Sequence, residues 1–327
     1  MTATLHASER QPTRNAEPWA PPDPAASQRA PRTRRTILLV ALATIATLGS
    51  AYLGNDSWIG IPVLFALSWP LERIWRRHPI KVRRIGLRTD LAYAAAGPIL
   101  QFITLATTLV AAALSLAWLP GLAFRPLVHA LPGAVQLIVG ILVFELLAYW
   151  THRWSHTVPL FWRFHSIHHS TVHLDWISGF RAHPLDGVFI APAFAFVIGA
   201  GFDSRFVGAL AVVQFVVGLW AHLNVRWRFR SLRAIVLTPD FHHWHHANQP
   251  EAINTNFSTF LPIWDLIFGS FYMPADRRPQ RYGVDDPVPV DMAGQLIYPF
   301  RGLKGATADA LRQRRQRQHH PRRQPRT

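Results

Sequence analysis

Long uncharged runs set the pattern of this chain. Residues 36–55 give 20 positions without a charged side chain, 57–71 give 15, 91–124 give 34, 126–144 give 19, 187–202 give 16 and 206–225 give 20. A helix that crosses bilayer hydrocarbon needs about 20 predominantly apolar residues. Four runs reach or nearly reach that length, and the two starting at Ser57 and Gly187 are short enough to be re-entrant. Buried helices of a soluble core would need amphipathic helices to cover them, and few are legible. The pattern predicts an all-α fold, a polytopic membrane helical bundle of about four to six spans. Gly97, Pro98 and Gly140 inside the runs fit that reading, because membrane helices tolerate such breakers. Residues 1–35, rich in Pro, Ala and Arg without an apolar period, read as a disordered basic arm. No signal peptide is expected, since the first apolar run begins only at Thr36 and no small-residue cleavage site follows it. The membrane domain is assigned to 36–300 and a disordered basic tail to 301–327.

Charge then orients the spans. Residues 71–88 carry Arg73, Arg76, Arg77, Lys81, Arg83, Arg84 and Arg88, and residues 226–233 carry Arg226, Arg228, Arg230 and Arg233. The opposite connections hold only Arg125 and Arg205. Positive loops stay inside, so an integral, multi-pass protein is expected, with both termini, both Arg-rich loops and a histidine-rich helical cap in the cytoplasm. The formal net charge is +16, but the two tails carry +11 of it, which removes the folded basic face that a nucleic-acid binder needs. Membrane lipids are the expected surroundings, and the tail's arginines would attract anionic ones. The chain has no cysteine, so disulfides, thiolate metal sites and thiol catalysis are excluded.

The candidate chemistry lies in the histidines, 17 in all. His152 and His156 are four apart, and His165, His168 and His169 fall within one helical turn. His242, His245 and His246 repeat that spacing, with His243 between them. Residues three or four apart share a helix face, and converging neutral imidazoles suit iron, copper or zinc. His6, His78, His129, His319 and His320 read as solvated or interfacial. Glu-x-x-His and His-Glu-x-x-His are both absent, which sets aside carboxylate-bridged di-iron bundles and zincin proteases. Eight clustered imidazoles exceed what one ion uses, so two ions in one all-histidine cage fit better.

The surrounding residues carry a resemblance. Tyr149-Trp150-Thr151-His152-Arg153, the stretch from Trp162 through His165, His168 and His169 to Ser170, and Arg181-Ala182-His183-Pro184-Leu185-Asp186 resemble motifs of the fatty acid hydroxylase and sterol desaturase superfamily. So do His222-Leu223-Asn224, Thr238-Pro239 through His246, Asn256-Phe257 and Trp264-Asp265 through Gly269. Asp186 stands where that family usually has Glu. The resemblance covers about 140–275.

It implies two iron ions, zinc being possible in recombinant material, with O2 as co-substrate and a lipid C–H bond as target. Hydroxylation and desaturation share the hydrogen abstraction and stay open. By the same resemblance the ligands are His152, His156, His165, His168, His169, His242, His245 and His246. His222 is next, 20 residues before His242, and His183 is a ligand, a helix-start residue or a residue that supports a ligand from behind. His243, at a variable position, is expected to be an exposed neighbour. Glu145 lies seven residues before His152, and either orients a ligand imidazole or pairs with an arginine at the interface. Asp175, Asp186, Asn224 and Asp240 are further candidates for orienting ligands. Arg153 and Arg163 are expected at lipid headgroups. Trp150, Trp154, Trp162 and the aromatics of 264–272 are expected as interfacial anchors rather than as the lining of a substrate entry. No flavin, nicotinamide or haem fingerprint is present, so an external electron donor of ferredoxin or cytochrome b5 type, with its reductase, is implied. The rival reading is a divalent-metal transporter or metal-binding membrane protein without oxidative activity, which would set its ligands near mid-membrane.

Overall fold

The computed structural model describes residues 60–79, 84–229 and 231–301. The basic arm, the 36–55 run, nearly all of the basic tail, His6, His319 and His320 lie outside them.

Among the described residues the chain is all-helical, with two isolated β-bridges and no strand. The helices are α1 (Gly60–Ile74), α2 (Leu87–Leu114), α3 (Trp118–Ala130), α4 (Gly133–Thr157) and α5 (Pro159–His169). After the 3₁₀ turns Trp176–Phe180 and Asp186–Ile190 come α6 (Ala191–Gly199), α7 (Ser204–Ala221), α8 (Pro239–His245), α9 (Ile263–Ile267) and α10 (Met292–Ile297).

The uncharged runs and the helices do not coincide, for local reasons. The 34-residue run breaks at Leu116, whose φ of 56° is left-handed, and so becomes α2 and α3. Within α2 the axis bends by 66° between Gly97 and Ile99, where Pro98 has no N–H to give. The run that charge counting ended at Phe144 instead starts at Gly133 and continues through Glu145 to Thr157. Glu145 does not end the helix because its carboxylate is bonded inside the protein. Among the described residues α4 is the one straight helix long and apolar enough to cross a membrane, and the bent α2 supplies a second if counted as one span. The runs at 187–202 and 206–225 fold into shorter apolar helices.

Three helices pack closely, two of them through a glycine. A Cβ on Gly121 of α3 would stand 2.5 Å from Phe196 O of α6, so this crossing requires glycine. Val128, Phe144, Ala148, Ala193, Val197 and Phe202 form the core joining α3, α4 and α6. A second core of Leu71, Trp75, Trp176, Leu223 and Val225 ties α1 to the segment after α7. Away from these contacts α2 is apolar and exposed, with Phe102 at 71% and Leu114 at 76%. Both cores leave the C-terminal end of α4 facing α5, α8 and the loops that follow them.

Candidate metal centre

Each histidine segment is fixed by an ordinary helix signal. Pro159 occupies the first turn of α5, where a missing N–H costs nothing. Thr238 caps α8 by accepting the N–H of Phe241, with Pro239 behind it. His222 is the C-terminal cap of α7.

These ends converge into two sets of imidazoles. His152, His156, His165, His169 and His245 form one, and His168, His222, His242 and His246 the other; within each, one donor nitrogen per ring lies within 4.8 Å of all the rest. The His165–His169 and His242–His246 clusters are therefore each shared between the two sets. His165 and His169, four apart, go to the first set and His168 to the second, while His242 and His246 go to the second and His245 to the first. The sets adjoin where the rings of His169 and His246 stack at 4.1 Å.

Ring nitrogens crowd inward. His152 Nε2 and His169 Nε2 each lie 3.2 Å from His165 Nε2, and His242 Nε2 lies 3.3 Å from His222 Nε2 and 3.0 Å from His246 Nε2. Donors about 2.0–2.1 Å from one shared ion stand roughly 3.0–3.4 Å apart, so the spacing fits a metal. Buried His156 Nε2 and His245 Nε2 have no partner in the protein, which is the condition of a ligand atom.

The outward nitrogens are pinned. His152 Nδ1 donates to Phe257 O at 2.6 Å, His168 Nδ1 to Arg181 O at 3.0 Å, His222 Nδ1 to Gly218 O at 2.6 Å and His245 Nδ1 to Thr255 O at 3.0 Å. His165 Nδ1 meets Asp186 Oδ2 at 2.9 Å. A proton held on Nδ1 leaves the Nε2 lone pair facing in. Burial, reinforced by neighbouring imidazoles, holds His168, His169, His242, His245 and His246 well below the usual imidazole range. Burial pushes His222 down to about 4. All six are neutral near pH 7 and able to ligate.

The other expected residues divide. Asp186 contacts a candidate ligand imidazole, while Glu145, Asp175, Asn224 and Asp240 do not. His183 belongs to neither set: its Nδ1 accepts Leu185 N–H at 3.1 Å and its Nε2 donates to Leu296 O at 3.1 Å, so both nitrogens are occupied. His243 is fully buried rather than exposed, between Leu223 O and the Tyr282 hydroxyl, because α8 is enclosed on all sides. Glu145 neither orients an imidazole nor pairs with an arginine. It accepts the Thr259 hydroxyl at 2.9 Å and the N–H groups of Phe260 and Leu261 at 2.8 and 3.1 Å. Asp175 pairs with Arg84 and caps Ser178, Asp240 pairs with Arg77, and Asn224 bonds both backbone groups of His78. Arg153 and Arg163 are used internally, bonding Tyr149 and Pro299 O.

One group of functional atoms escaped the sequence reading: backbone carbonyls. Phe257 O and Thr255 O belong to a loop held by Glu145 and by Asp265, which is fully buried and accepts N–H from Phe257 and Ser258 at 2.8 Å each. Buried Asn256, at φ 59°, ties the same loop to Phe241 O and to Tyr272. A cavity of about 290 Å³ opens on the first set past His156, Trp162, His169 and His245, rimmed by Asn248 and Asp286. Trp162 is the only one of the expected boundary aromatics that lines it.

A buried pair of imidazole sets with tautomers fixed from outside defines the class of site: a candidate metal centre built from histidine alone. Residues 137–270, which contain all nine histidines of the two sets, match the family model for fatty acid hydroxylase. The chain is 34% identical over 172 residues to ornithine lipid hydroxylase OlsE of Rhizobium tropici, covering 52% of this chain and 51% of that protein. It is 30% identical over 144 residues to alkylglycerol monooxygenase of Homo sapiens, covering 43% and 31%. It is also 30% identical over 146 residues to very-long-chain aldehyde decarbonylase GL1-4 of Oryza sativa subsp. indica, covering 41% and 23%. The chain thus spans about half or less of the length of these relatives. No solved structure matches it. Residues 137–270 thus fit the fatty acid hydroxylase and sterol desaturase superfamily.

Proposed function

We propose that this chain is a membrane-embedded, O2-dependent oxidoreductase that hydroxylates a lipid C–H bond with two irons and electrons from an external donor. The observation that carries the reading is the pair of adjoining imidazole sets. His152, His156, His165, His169 and His245 would hold one ion, and His168, His222, His242 and His246 the other. Bound iron supplies the one-electron and O2 chemistry that no side chain of this protein offers. The protein's own part is electrostatic and geometric. Phe257 O, Thr255 O, Arg181 O, Gly218 O and Asp186 fix five rings, so the donor nitrogens are arranged before an ion arrives. Burial keeps the rings neutral and limits water to the side of the cavity.

Hydroxylation is preferred to desaturation because two of the relatives are named a hydroxylase and a monooxygenase. The exposed apolar surface of α2 and the length of α4 support a bilayer setting in which the histidine centre sits at the C-terminal end of α4. The Arg-rich loops support placing that end in the cytoplasm. A metal carrier needs ligands that release their ion along a path, whereas these rings are pinned from behind.

The test is turnover of the full chain, in lipid and with a reducing system, under oxygen-18 gas. One labelled oxygen atom in the product is expected. Equal turnover without O2 would refute the class, and a product lacking two hydrogens with no label would move the reaction to desaturation.

A further inference from the structure

The two Arg-rich loops, read from sequence only as topology signals, come together. Arg77 N–H donates to Asn224 O at 3.0 Å and Arg226 N–H to Trp75 O at 2.8 Å, with an isolated bridge between Arg76 and Val225. This pairing gathers Arg77, Arg228 and Arg278 around one carboxylate, Asp240. Arg77 Nη2 is 3.0 Å from Asp240 Oδ1, and Arg228 Nε is 4.0 Å from Oδ2. Arg278 donates to Arg226 O at 2.7 Å; burial and the nearby Arg77 hold its guanidinium down to about 10.

Three guanidinium groups against one carboxylate leave an excess of positive charge in a largely desolvated place. The Arg77 side chain is 1% exposed, and its Nε and Nη1, like Arg228 Nε, are buried N–H donors without an acceptor. Such groups are costly unless a partner of opposite charge completes them. Asp240, Arg228 and Arg233 line a cleft of about 20 Å³ with Phe229, Met273 and Pro274. That volume admits about one water-sized group, and Arg233 stands exposed on it. An oxyanion could insert one oxygen beside Arg228 and leave the others for Arg233. Guanidinium is the side chain best matched to phosphate oxygens.

We propose that this cleft binds a phosphate-class oxyanion, carried on a lipid headgroup or free in the aqueous phase. The site is separate from the histidine centre. It neutralises the excess charge on the loops that hold Asp240, two residues before His242. Asp240 also faces the cleft, so it is the arginines that bind the anion, and against the repulsion of that carboxylate.

The experiment uses the full chain in an uncharged detergent and measures thermal unfolding against two probes. These are inorganic phosphate and dioctanoyl phosphatidylglycerol, each compared with sodium chloride at equal ionic strength. A saturable rise in Tm is expected, with the apparent Kd weakened about tenfold in Arg228→Gln or Arg233→Gln through loss of a charge-assisted contact. Both variants leave the buried Arg77–Asp240 pair in place; Arg228 also donates to Ala275 O and, at 2.8 Å, to Arg277 O, so the exposed Arg233 supplies the variant that folding does not confound. A response to both probes identifies phosphate itself as the ligand. A response to the phospholipid alone identifies the headgroup. No rise beyond chloride from either probe, or an unchanged Kd in both variants, overturns the proposal.

Discussion

Replacing Asp186 with Ala removes a single contact from the histidine centre. Asp186 Oδ2 meets His165 Nδ1 at 2.9 Å, while its Oδ1 is buried without a partner, so the substitution strands no other donor. The side chains of His165 and Asp186 are 9% and 16% exposed, so water replaces the carboxylate poorly. Two losses follow: His165 is free to rotate or change tautomer, and its Nδ1–H becomes a buried donor without an acceptor. Outer partners of this kind are worth about 10–100-fold in metal affinity or activity, which is roughly 1.4–2.7 kcal/mol. Asp186→Asn keeps the shape and one acceptor, so its loss should be the smaller. The assay is metal retained per chain during titration with a chelator, alongside turnover at saturating metal. Retention and turnover in Asp186→Ala within about twofold of the parent would refute the claim that this pair sets the ring.

Three further outcomes are expected. Glu145→Ala strands the N–H groups of Phe260 and Leu261, costing about 2–5 kcal/mol in all; a fall in Tm together with weaker metal retention is expected, and an unchanged Tm would count against it. His183→Ala and His243→Ala should each lower Tm but leave the metal content unchanged, since neither ring joins a set; loss of an ion in either would show that the sets are drawn wrongly. In metal-free protein, His222 titrates near 4 when folded and near 6.5 when unfolded. The unfolded state therefore binds more protons between those values, and stability falls as pH drops from 6.5 towards 4. Each such imidazole contributes up to about 1.4 kcal/mol per pH unit in its window. Chemical unfolding at several pH values measures it, and a flat profile between 6.5 and 4 would contradict buried neutral histidines.

What sequence could reveal here follows from what spacing encodes. Helical spacing placed His165, His168 and His169 within one turn, as it did His242, His245 and His246, but it could not tell how each triplet divides. A difference of one residue turns a ring by about 100°, enough to send His168 and His169 to different sets. His222 was legible as a neighbour because the chain between it and His242 can double back. His243 was misread because variability at a motif position was taken for exposure, and a seven-residue helix enclosed on every side has no exposed face. Glu145 stood out as an acid in an apolar helix, but both roles expected of it fail, because its partners are the Thr259 hydroxyl and backbone N–H groups more than a hundred residues away, which no local pattern announces. The carbonyls that orient the rings carry no sequence signature, since every residue has one. The uncharged runs located apolar segments well and their ends poorly, because a satisfied carboxylate extends α4 and a left-handed Leu116 divides a continuous run.

The central claim is that nine imidazoles in two sets hold a pair of ions. It is tested most directly by the metal-to-protein ratio of the full chain, loaded with iron(II) without oxygen and freed of excess metal, in the parent and in His156→Ala and His222→Ala. About two ions per chain are expected in the parent, matching the two sets. A clear loss is expected in each variant, because His156 belongs to one set and His222 to the other. A parent that binds one ion or none, or a ratio unchanged in both variants, would contradict it.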